Sequence, residues 1–466
     1  MSVSQKLLSR RNLTQLGGTI RQVLASKSND ESIHVHGWIK SIRLQKRIAF
    51  AMLHDGTTPK GLQVVFRNPT QAKVLTNGAS VRLTGALTPS PGPGQHRELV
   101  AEAVEILGAC DPESYPIQKQ ALTTEYLRDH AHLRVRTDVQ GAVLRLRDTV
   151  MRSLHDFFHE NDFIYVHTPI ITSNDTEGAG ESFRLAPIPS RCTDRGVTTQ
   201  DTEFFNKPSY LTVSSQLHLE VLSNAVARVW TLSPCFRAER SQTSRHLAEF
   251  WMLEAELSFV RSVDDLCDVA EASIKHVLRL QSLDRDLLQA DIGASWTSTA
   301  AAASEVPWAR ITYTDAIREL QNSGARFEFT PLWGSPLQSE HERWLADSFA
   351  HGPIFVTDYP VTIKPFYMRQ NDDGKTVACF DLLVPHVGEL VGGSLREERS
   401  TLLEAAIKRQ GLDEEAYRWY TELRKFGGAP HGGYGMGFER LISWLGGIEN
   451  VRECIPMPRW SGRMLL

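Results

Sequence analysis

Apolar and polar residues alternate through the stretch 33–107 in five short segments, which predicts five β-strands. Turn-forming residues separate the segments, among them Asp55-Gly56, Asn77-Gly78 and the Pro/Gly-rich stretch 89–94. Five short strands in succession are typical of a closed barrel of the OB type, although an SH3-like barrel gives a similar pattern. We therefore predict a barrel domain over residues 31–110.

A different pattern follows the polar, proline-containing segment 111–130, which we interpret as a hinge. Apolar residues then recur at steps of three and four between Val143 and Phe158, as expected of an amphipathic helix. Asn161-Asp162 ends this helix, and a predicted strand from Phe163 to His167 runs into Thr168-Pro169. The pattern alone favours packing of this helix and strand in a core, and an interface between two copies of the chain is the alternative.

Residues 229–257 contain two β-rich runs around a polar, basic loop. Arg237 and Glu239 close the first run, Arg245 and His246 lie in the loop, and Phe250 and Glu254 belong to the second run. A guanidinium group offers a fixed fork of donors that matches a phosphate or a carboxylate, and an aromatic ring can stack on a purine. This combination indicates a nucleotide-binding hairpin.

The stretch 427–445 combines six glycines with a helical pattern that begins at Phe438. Glycine allows the backbone to approach a ligand closely. Arg440 lies in the first turn of the predicted helix, where the helix dipole disfavours a cation. We therefore expect Arg440 to have a functional role, such as contact with a polyphosphate.

The charge distribution is more informative than the total, since 51 basic and 55 acidic residues give a net charge of only −4. Residues 1–29 carry five Lys or Arg and no acid, which is typical of an organellar targeting peptide. We therefore expect residues 1–30 to be a leader that directs the protein to the mitochondrial matrix. A basic disordered leader, or a first helix of a cytoplasmic protein, is the alternative. The sequence contains no apolar run long enough to span a membrane.

Three segments, taken in chain order, resemble the three signature motifs of class II aminoacyl-tRNA synthetases: the one that ends at Pro169, the FRAE and RHLAEF stretches within 236–250, and GMGFER at 435–440. Finer stretches resemble the asparaginyl-tRNA synthetases, among them YLTVSSQLHLE at 210–220 and FDLLVPHVGELVGGSLREER at 380–399. The resemblance covers about residues 33–466. It implies an α+β fold in which a five-stranded OB-type barrel precedes a class II catalytic domain, residues 131–466, with an antiparallel sheet flanked by helices. It also implies a homodimer formed through the Pro169 segment.

The same resemblance implies ATP-dependent ligation of asparagine to tRNA(Asn) through asparaginyl-adenylate, with release of AMP and pyrophosphate. Arg237 would bridge the substrate carboxylate and the α-phosphate, and Arg440 would hold the γ-phosphate, which makes these two the catalytic residues. The remaining residues that it assigns to ATP are Glu239, Arg245, His246, Phe250, which would stack on adenine, and Glu389. Asp381 and Glu389 would hold Mg²⁺, an ion that binds one or two carboxylates together with phosphate oxygens.

For the amino acid, the resemblance assigns Glu177, Ser214 and Gln216 to the amine, and Arg396 to the side-chain end. Aspartate enzymes of this class carry a lysine in the segment matching 214–220, whereas this chain has Leu219 followed by Glu220. A substrate amide can donate to Glu220 and accept from Arg396, while a substrate carboxylate there would be an unpaired buried charge. We hypothesise that Glu220 and Arg396 select asparagine over aspartate.

The barrel is expected to bind the anticodon through Arg43, Phe50 and Gln63. A basic side chain can contact phosphate, an aromatic ring can stack on an unstacked base, and an amide can read a base edge. Two other functions stay open on the sequence: a nondiscriminating aspartyl/asparaginyl-tRNA synthetase, and a non-catalytic RNA-binding relative. The second is disfavoured because Arg237, Arg245 and Arg440 are all present.

Overall fold

The structure is a computed structural model that describes residues 18–26, 32–92, 94–118, 120–173, 182–186, 203–241, 243–279, 303 and 305–466. The chain divides into two compact units, one up to Arg145 and one from Leu146 onward. Glu177 and most of the predicted leader lie outside the described residues. The limits predicted for the leader, the hinge and the two domains stay predictions.

The first unit contains a five-stranded barrel preceded by a short helix. The elements are α1 (Ile20–Ala25), β1 (Ile33–Leu44), β2 (Ala49–His54), β3 (Leu62–Phe66), β4 (Ser80–Pro89) and β5 (Arg97–Gly108). The strands close in the order β1-β2-β3-β5-β4, so the predicted strands and the closed barrel are confirmed. Alternation turns Val35, Leu53 and Val64 inward, where each is fully buried.

Three helices follow the barrel: α2 (Thr124–Asp129), α3 (Ala131–Arg134) and α4 (Asp138–Glu160). Helix α4 is the one predicted from the apolar periodicity, and Leu146, Val150 and Leu154 are buried along one of its faces. Near its end the Phe158 ring stacks on Trp230, with 4.5 Å between ring centroids. The prediction that this helix packs in a core is therefore confirmed.

An eight-stranded sheet organises the second unit. Its strands are β6 (Ile164–Tyr165), β10 (Arg228–Phe236), β11 (Glu249–Ser258), β12 (Ala309–Thr312), β13 (Ile354–Thr357), β14 (Cys379–Val384), β15 (Gly388–Leu395) and β16 (His431–Gly437). Between β6 and β10 the chain forms a separate three-stranded sheet of β7 (Ile171–Thr172), β8 (Arg184–Leu185) and β9 (Ser209–Leu211). The order is β12-β13-β14-β15-β16-β11-β10-β6. Neighbouring strands run antiparallel from β13 to β10, and the outer pairs β12-β13 and β6-β10 are parallel. The predicted antiparallel sheet is thus confirmed for the six central strands.

Helices flank the sheet as expected: α5 (Gln216–Ser223), α6 (Val263–Leu278), α7 (Tyr313–Asn322), α8 (Ser339–Trp344), α9 (Ser400–Arg409), α10 (Arg418–Lys425) and α11 (Phe438–Gly446). A π-helical turn, Leu345–Phe349, continues α8. Helix α11 begins at Phe438 as predicted, whereas β6 is shorter than predicted because only two of its residues pair with β10. No helix in the described ranges is long and apolar enough to cross a membrane.

Candidate active site

One face of strand β11 lines two adjoining cavities. Phe250, Met252, Glu254 and Glu256 are two residues apart, so their side chains point to the same side of the sheet. Phe250 lines the first cavity, the two glutamates line the second, and Met252 lines both. Arg237 and Glu389 also line both cavities, which therefore form one continuous site.

Glycines in β15 and β16 leave space beside this face. Gly433 and Gly435 pair with Glu256 and Glu254 across the ladder, and Gly392 pairs with Gly435 on the other side. A Cβ on Gly433 would lie 2.1 Å from Glu256 Oε2. The sequence predicted that the glycines let the backbone approach a ligand. Gly433 also makes room for a buried carboxylate of the protein itself, that of Glu256.

The first cavity gathers every residue that the sequence assigned to ATP: Arg237, Glu239, Arg245, His246, Phe250, Glu389 and Arg440. Arg440 Nη1 donates to the backbone oxygen of Glu389 at 2.9 Å and to its carboxylate at 3.3 Å. The guanidinium carbon of Arg237 lies 5.5 Å from the centroid of the Phe250 ring. Three guanidinium groups and one aromatic ring thus converge on a single cavity, an arrangement suited to a nucleotide with several phosphates.

Charges around the first cavity set the protonation of its acid and its histidine. Burial alone raises the pKa of Glu389, but the cations Arg440 and Lys364 outweigh it and hold that pKa below its usual value. Burial is also the main reason that the pKa of His246 is lowered, and nearby arginines, led by Arg440, add to the shift. Glu389 is therefore an anion at neutral pH, and the His246 imidazole is neutral.

Asp381 and Glu389 are brought together on either side of Gly392. A Cβ on Gly392 would lie 3.4 Å from an oxygen of each carboxylate. Asp381 is also paired with Lys364, whose Nζ lies 2.9 and 3.1 Å from its two oxygens. Two carboxylates beside a cationic cavity fit a hard cation that also binds phosphate oxygens. Lys364 adds a positive charge that the sequence reading did not include.

The second cavity is lined by Ser214, Gln216 and Arg396, three of the residues assigned to the amino acid, and by Lys364, Glu254 and Glu256. Ser214 Oγ donates to Glu254 Oε1 at 2.5 Å, and the Ser215 amide donates to Oε2 at 2.8 Å. Burial raises the pKa of Glu254 despite these bonds. Arg396 forms a bidentate pair with Glu256: its Nε donates to Oε1 at 3.0 Å and its Nη2 donates to Oε2 at 2.8 Å.

Glu220 is fully buried and does not line the second cavity. Its Oε2 accepts hydrogen bonds from Tyr420 at 2.7 Å, Arg424 at 2.9 Å and His431 at 3.0 Å. Its Oε1 accepts from Gln216 Nε2 at 3.1 Å. Burial alone raises the pKa of Glu220, but Arg424, His431 and Arg396 lower it well below the usual range. The contact between Glu220 and a substrate stays a prediction, because the structure links this carboxylate to the cavity through Gln216.

Sequence reasoning named Glu254 in the hairpin without giving it a role, and it missed Glu256, Lys364 and Arg424. Glu256 carried a signal, because it alternates with Phe250 and Glu254 along a predicted strand and therefore shares their face. Lys364 and Arg424 carried none: each lies outside the three motifs and reaches its carboxylate partner only through the tertiary fold.

The barrel residues assigned to the anticodon share one outer face. Arg43 pairs directly with Phe50, and Gln63 pairs with Met52, two residues beyond Phe50. Ala49, Ala51 and Leu53 point into the core instead. The Gln63 amide donates to Glu98 Oε2 at 2.9 Å, which orients it. A basic group, an aromatic ring and an amide therefore lie side by side on the barrel surface.

Pro169 lies in an exposed apolar segment next to the edge of the large sheet. Pro169 itself is exposed, and Ile164, Ile170 and Ile171 are 50%, 41% and 45% exposed. β6, which contains Ile164, is the edge strand. A run of exposed apolar residues beside a sheet edge is typical of a surface that binds another protein.

Comparisons with known proteins agree with this geometry. A family model described as tRNA synthetases class II (D, K and N) matches residues 123–461, and one described as an OB-fold nucleic acid binding domain matches residues 33–107. An asparagine--tRNA ligase of Thermosynechococcus vestitus is 45% identical over 95% of this chain and 98% of its own length. An asparaginyl-tRNA synthetase of Homo sapiens is 44% identical over 96% of this chain and 94% of its own.

The crystal structure of asparaginyl-tRNA synthetase from Pyrococcus horikoshii complexed with asparaginyl-adenylate has a TM-score of 0.84 and 29% identity to this chain, covering 97% of it and 99% of the solved chain. An asparaginyl-tRNA synthetase from Entamoeba histolytica, also in complex with asparaginyl-adenylate, has a TM-score of 0.81 at 29% identity. The OB-type barrel and the class II catalytic fold are thereby confirmed. The chain belongs to the class II aminoacyl-tRNA synthetases and, within them, to the asparaginyl-tRNA synthetase family.

Proposed function

We propose that the protein ligates asparagine to tRNA(Asn) in two steps. The asparagine carboxylate first attacks the α-phosphorus of ATP, which forms asparaginyl-adenylate and releases pyrophosphate. A hydroxyl of the terminal tRNA ribose then attacks the acyl carbon and releases AMP. The observation that carries this proposal is the continuous site, in which a cavity lined by three arginines opens at Arg237 into one lined by Glu254, Glu256 and Arg396.

Adenylate formation needs alignment of two anions and neutralisation of their charge more than it needs proton transfer. Arg237 lines both cavities, which supports its assignment to both the substrate carboxylate and the α-phosphate. We assign the rest of the polyphosphate to Arg245, His246 and Arg440, and adenine to Phe250. The neutral His246 would act as a hydrogen-bonding group rather than as a cation.

Three features support asparagine as the amino acid. Glu254, held by Ser214, places a carboxyl group where a substrate ammonium can bind. Leu219 lies on the cavity wall at the position for which aspartate enzymes have a lysine, so this position supplies no cation to pair with a side-chain carboxylate. We propose that Glu220 and Arg396 select the amide, and that Glu220 does so by fixing the orientation of Gln216.

We further propose that Mg²⁺ binds at Asp381 and Glu389. The support is the placement of both carboxylates around Gly392 beside the arginine-lined cavity. A bound Mg²⁺ would neutralise charge on the polyphosphate. Lys364 holds Asp381 in place, and Arg440 holds Glu389.

A homodimer through the Pro169 segment is supported by the exposed isoleucines around it. Light scattering coupled to gel filtration on the wild type and on an Ile170→Asp, Ile171→Asp variant tests this proposal. A wild type that elutes as a monomer at micromolar concentration would exclude it.

The mitochondrial matrix is proposed as the location, on the basic and acid-free composition of residues 1–29. Imaging of the full chain and of a chain that lacks residues 1–29 tests this proposal. Identical cytosolic signal from both would exclude it.

The function is tested by ATP–pyrophosphate exchange with asparagine, aspartate or lysine, followed by charging of a tRNA(Asn) transcript. We expect exchange and charging with asparagine alone. Comparable rates with asparagine and aspartate would indicate a nondiscriminating enzyme. Absence of exchange from a folded protein that still binds tRNA would indicate a non-catalytic relative.

A further inference from the structure

Glu342, on helix α8, does not line either cavity of the active site and belongs to none of the three motifs. It nevertheless contacts two residues that do. Its Oε2 accepts a hydrogen bond from Arg245 Nη2 at 3.1 Å and another from the backbone amide of Glu389 at 3.2 Å. One oxygen of this partly buried carboxylate therefore joins the basic loop between β10 and β11 to the start of β15.

The third group at this junction is Gly388, which has φ +82° and leads into Glu389. A Cβ at position 388 would lie 2.6 Å from Glu342 Oε2 and 3.2 Å from Arg245 Nη2. Only glycine fits both this conformation and this space. The tight approach keeps the Glu342 carboxylate in direct contact with the β14–β15 turn.

The guanidinium of Arg245 is held at both of its terminal nitrogens. Nη2 donates to Glu342, and Nη1 donates to the Ser339 hydroxyl, also on α8. Its Nε is buried and has no acceptor within the described residues, so this N–H is available to a further partner. A side chain held in this way loses less conformational freedom when it binds an anion than a mobile arginine would.

We propose that Glu342 is a positioning residue for ATP, and that it acts by holding Arg245 and the Glu389 backbone in one fixed arrangement. This inference rests on the proposed function and adds a residue to it. Glu342 contacts no substrate itself. Its effect is on the two groups that are assigned to the polyphosphate and to the metal.

A matched control exists on the same structural element. Asp347, in the π-helical turn after α8, accepts a hydrogen bond at 3.0 Å from the backbone amide of His386, in the same β14–β15 turn. Asp347 therefore supports the turn without any contact to Arg245. A comparison of Glu342→Gln with Asp347→Asn separates the effect on Arg245 from general support of the turn.

The experiment measures ATP–pyrophosphate exchange with wild type, Glu342→Gln, Asp347→Asn, Arg245→Ala and the Glu342→Gln/Arg245→Ala double variant. We expect Glu342→Gln to raise the KM for ATP about tenfold, because the freed Arg245 must be ordered on binding. The KM for asparagine and the melting temperature should stay near the wild-type values. Asp347→Asn should change the ATP KM less than about twofold, and Glu342→Gln should have little further effect once Arg245 is absent.

Several outcomes would overturn the proposal. Equal effects of Glu342→Gln and Asp347→Asn would show that only the turn matters. Tighter ATP binding by Glu342→Gln would show that Glu342 competes with ATP for Arg245. Equal changes in the KM for ATP and for asparagine, or full additivity in the double variant, would show a general structural role. A wild type without exchange activity would refute the proposed function and, with it, the role of Glu342 in positioning groups for ATP.

Discussion

At the scale of single residues, the site depends on buried charges that are satisfied by several partners. Glu220 is the clearest case, because Tyr420, Arg424, His431 and Gln216 all donate to it. A buried carboxylate is tolerated only when it is paired in this way. It is therefore a structural anion and also the support of Gln216, which lines the second cavity.

Glu220→Gln should therefore weaken the discrimination against aspartate. Removing the charge frees Gln216 to turn and leaves Arg424 and His431 beneath the cavity without an anion, so a side-chain carboxylate is no longer disfavoured. We expect the ratio of kcat/KM for asparagine to that for aspartate to fall by at least about tenfold, or about 1.4 kcal/mol. Pyrophosphate exchange with both amino acids measures it. Glu422→Gln is the control, because Glu422 is a half-buried residue of α10 that pairs with Arg418. Equal ratios in all three proteins would refute the assignment.

Glu220 also makes the stability of the fold depend on pH. Burial raises the pKa of Glu220, but the nearby cations, of which Arg424 has the largest effect, lower it in the folded protein below its usual 4.5. A lowered folded-state pKa means that the unfolded chain binds the proton more tightly, so the contribution to stability is complete above pH 4.5 and is lost as the pH falls below it. Wild type should exceed Glu220→Gln in urea-unfolding free energy from pH 7 down to about pH 4.5, and the difference should narrow as the pH falls further. A stability difference between wild type and Glu220→Gln that widens as the pH falls would contradict the predicted direction of this pH dependence.

At the scale of elements, the sequence pattern was sufficient to predict a helix or strand where local periodicity and packing agree. The alternation of residues 33–107 predicted the barrel strands, the two β-rich runs predicted the β10–β11 hairpin, and the helical periodicity predicted helix α11. Strand β6 came out shorter because its length depends on a partner strand, Val229–Trp230, that lies far along the chain. Lys364 and Arg424 could not be placed for a related reason, since their partners Asp381 and Glu220 meet them only after the sheet and helices have packed.

The glycines of β16 permit a prediction at this scale. A Cβ on Gly433 would lie 2.1 Å from Glu256 Oε2 and 2.2 Å from the Ala255 backbone oxygen, whereas one on Gly435 would lie 3.3 Å from the flexible Met252 sulfur. Gly433→Ala should therefore destabilise the fold by at least about 3 kcal/mol, since a backbone atom cannot move aside. Gly435→Ala should fold nearly normally and reduce binding of both substrates, because Gly435 lines both cavities.

Chemical denaturation and substrate KM values measured on both variants test this difference. Equal loss of stability in Gly433→Ala and Gly435→Ala would contradict it.

At the scale of the whole molecule, the two kinds of chemistry lie in different units of the chain. The residues assigned to the amino acid and to ATP all follow Leu146 in the chain, and the residues assigned to the anticodon all precede Arg145. Activation of asparagine and recognition of tRNA are therefore expected to be separable by mutation, even though charging needs both.

Phe50→Ala tests this separation. Loss of one stacked base costs about 1–3 kcal/mol, so the KM for tRNA(Asn) in the charging reaction should rise about five- to 150-fold. Pyrophosphate exchange with asparagine should remain within twofold of wild type, because it requires no tRNA and none of its residues lies on the barrel. Arg82→Ala, which removes an exposed pair with Glu105 elsewhere on the barrel surface, is the control and should leave both reactions unchanged. Equal losses of exchange and charging in Phe50→Ala would mean that the barrel supports the catalytic unit instead of reading the anticodon.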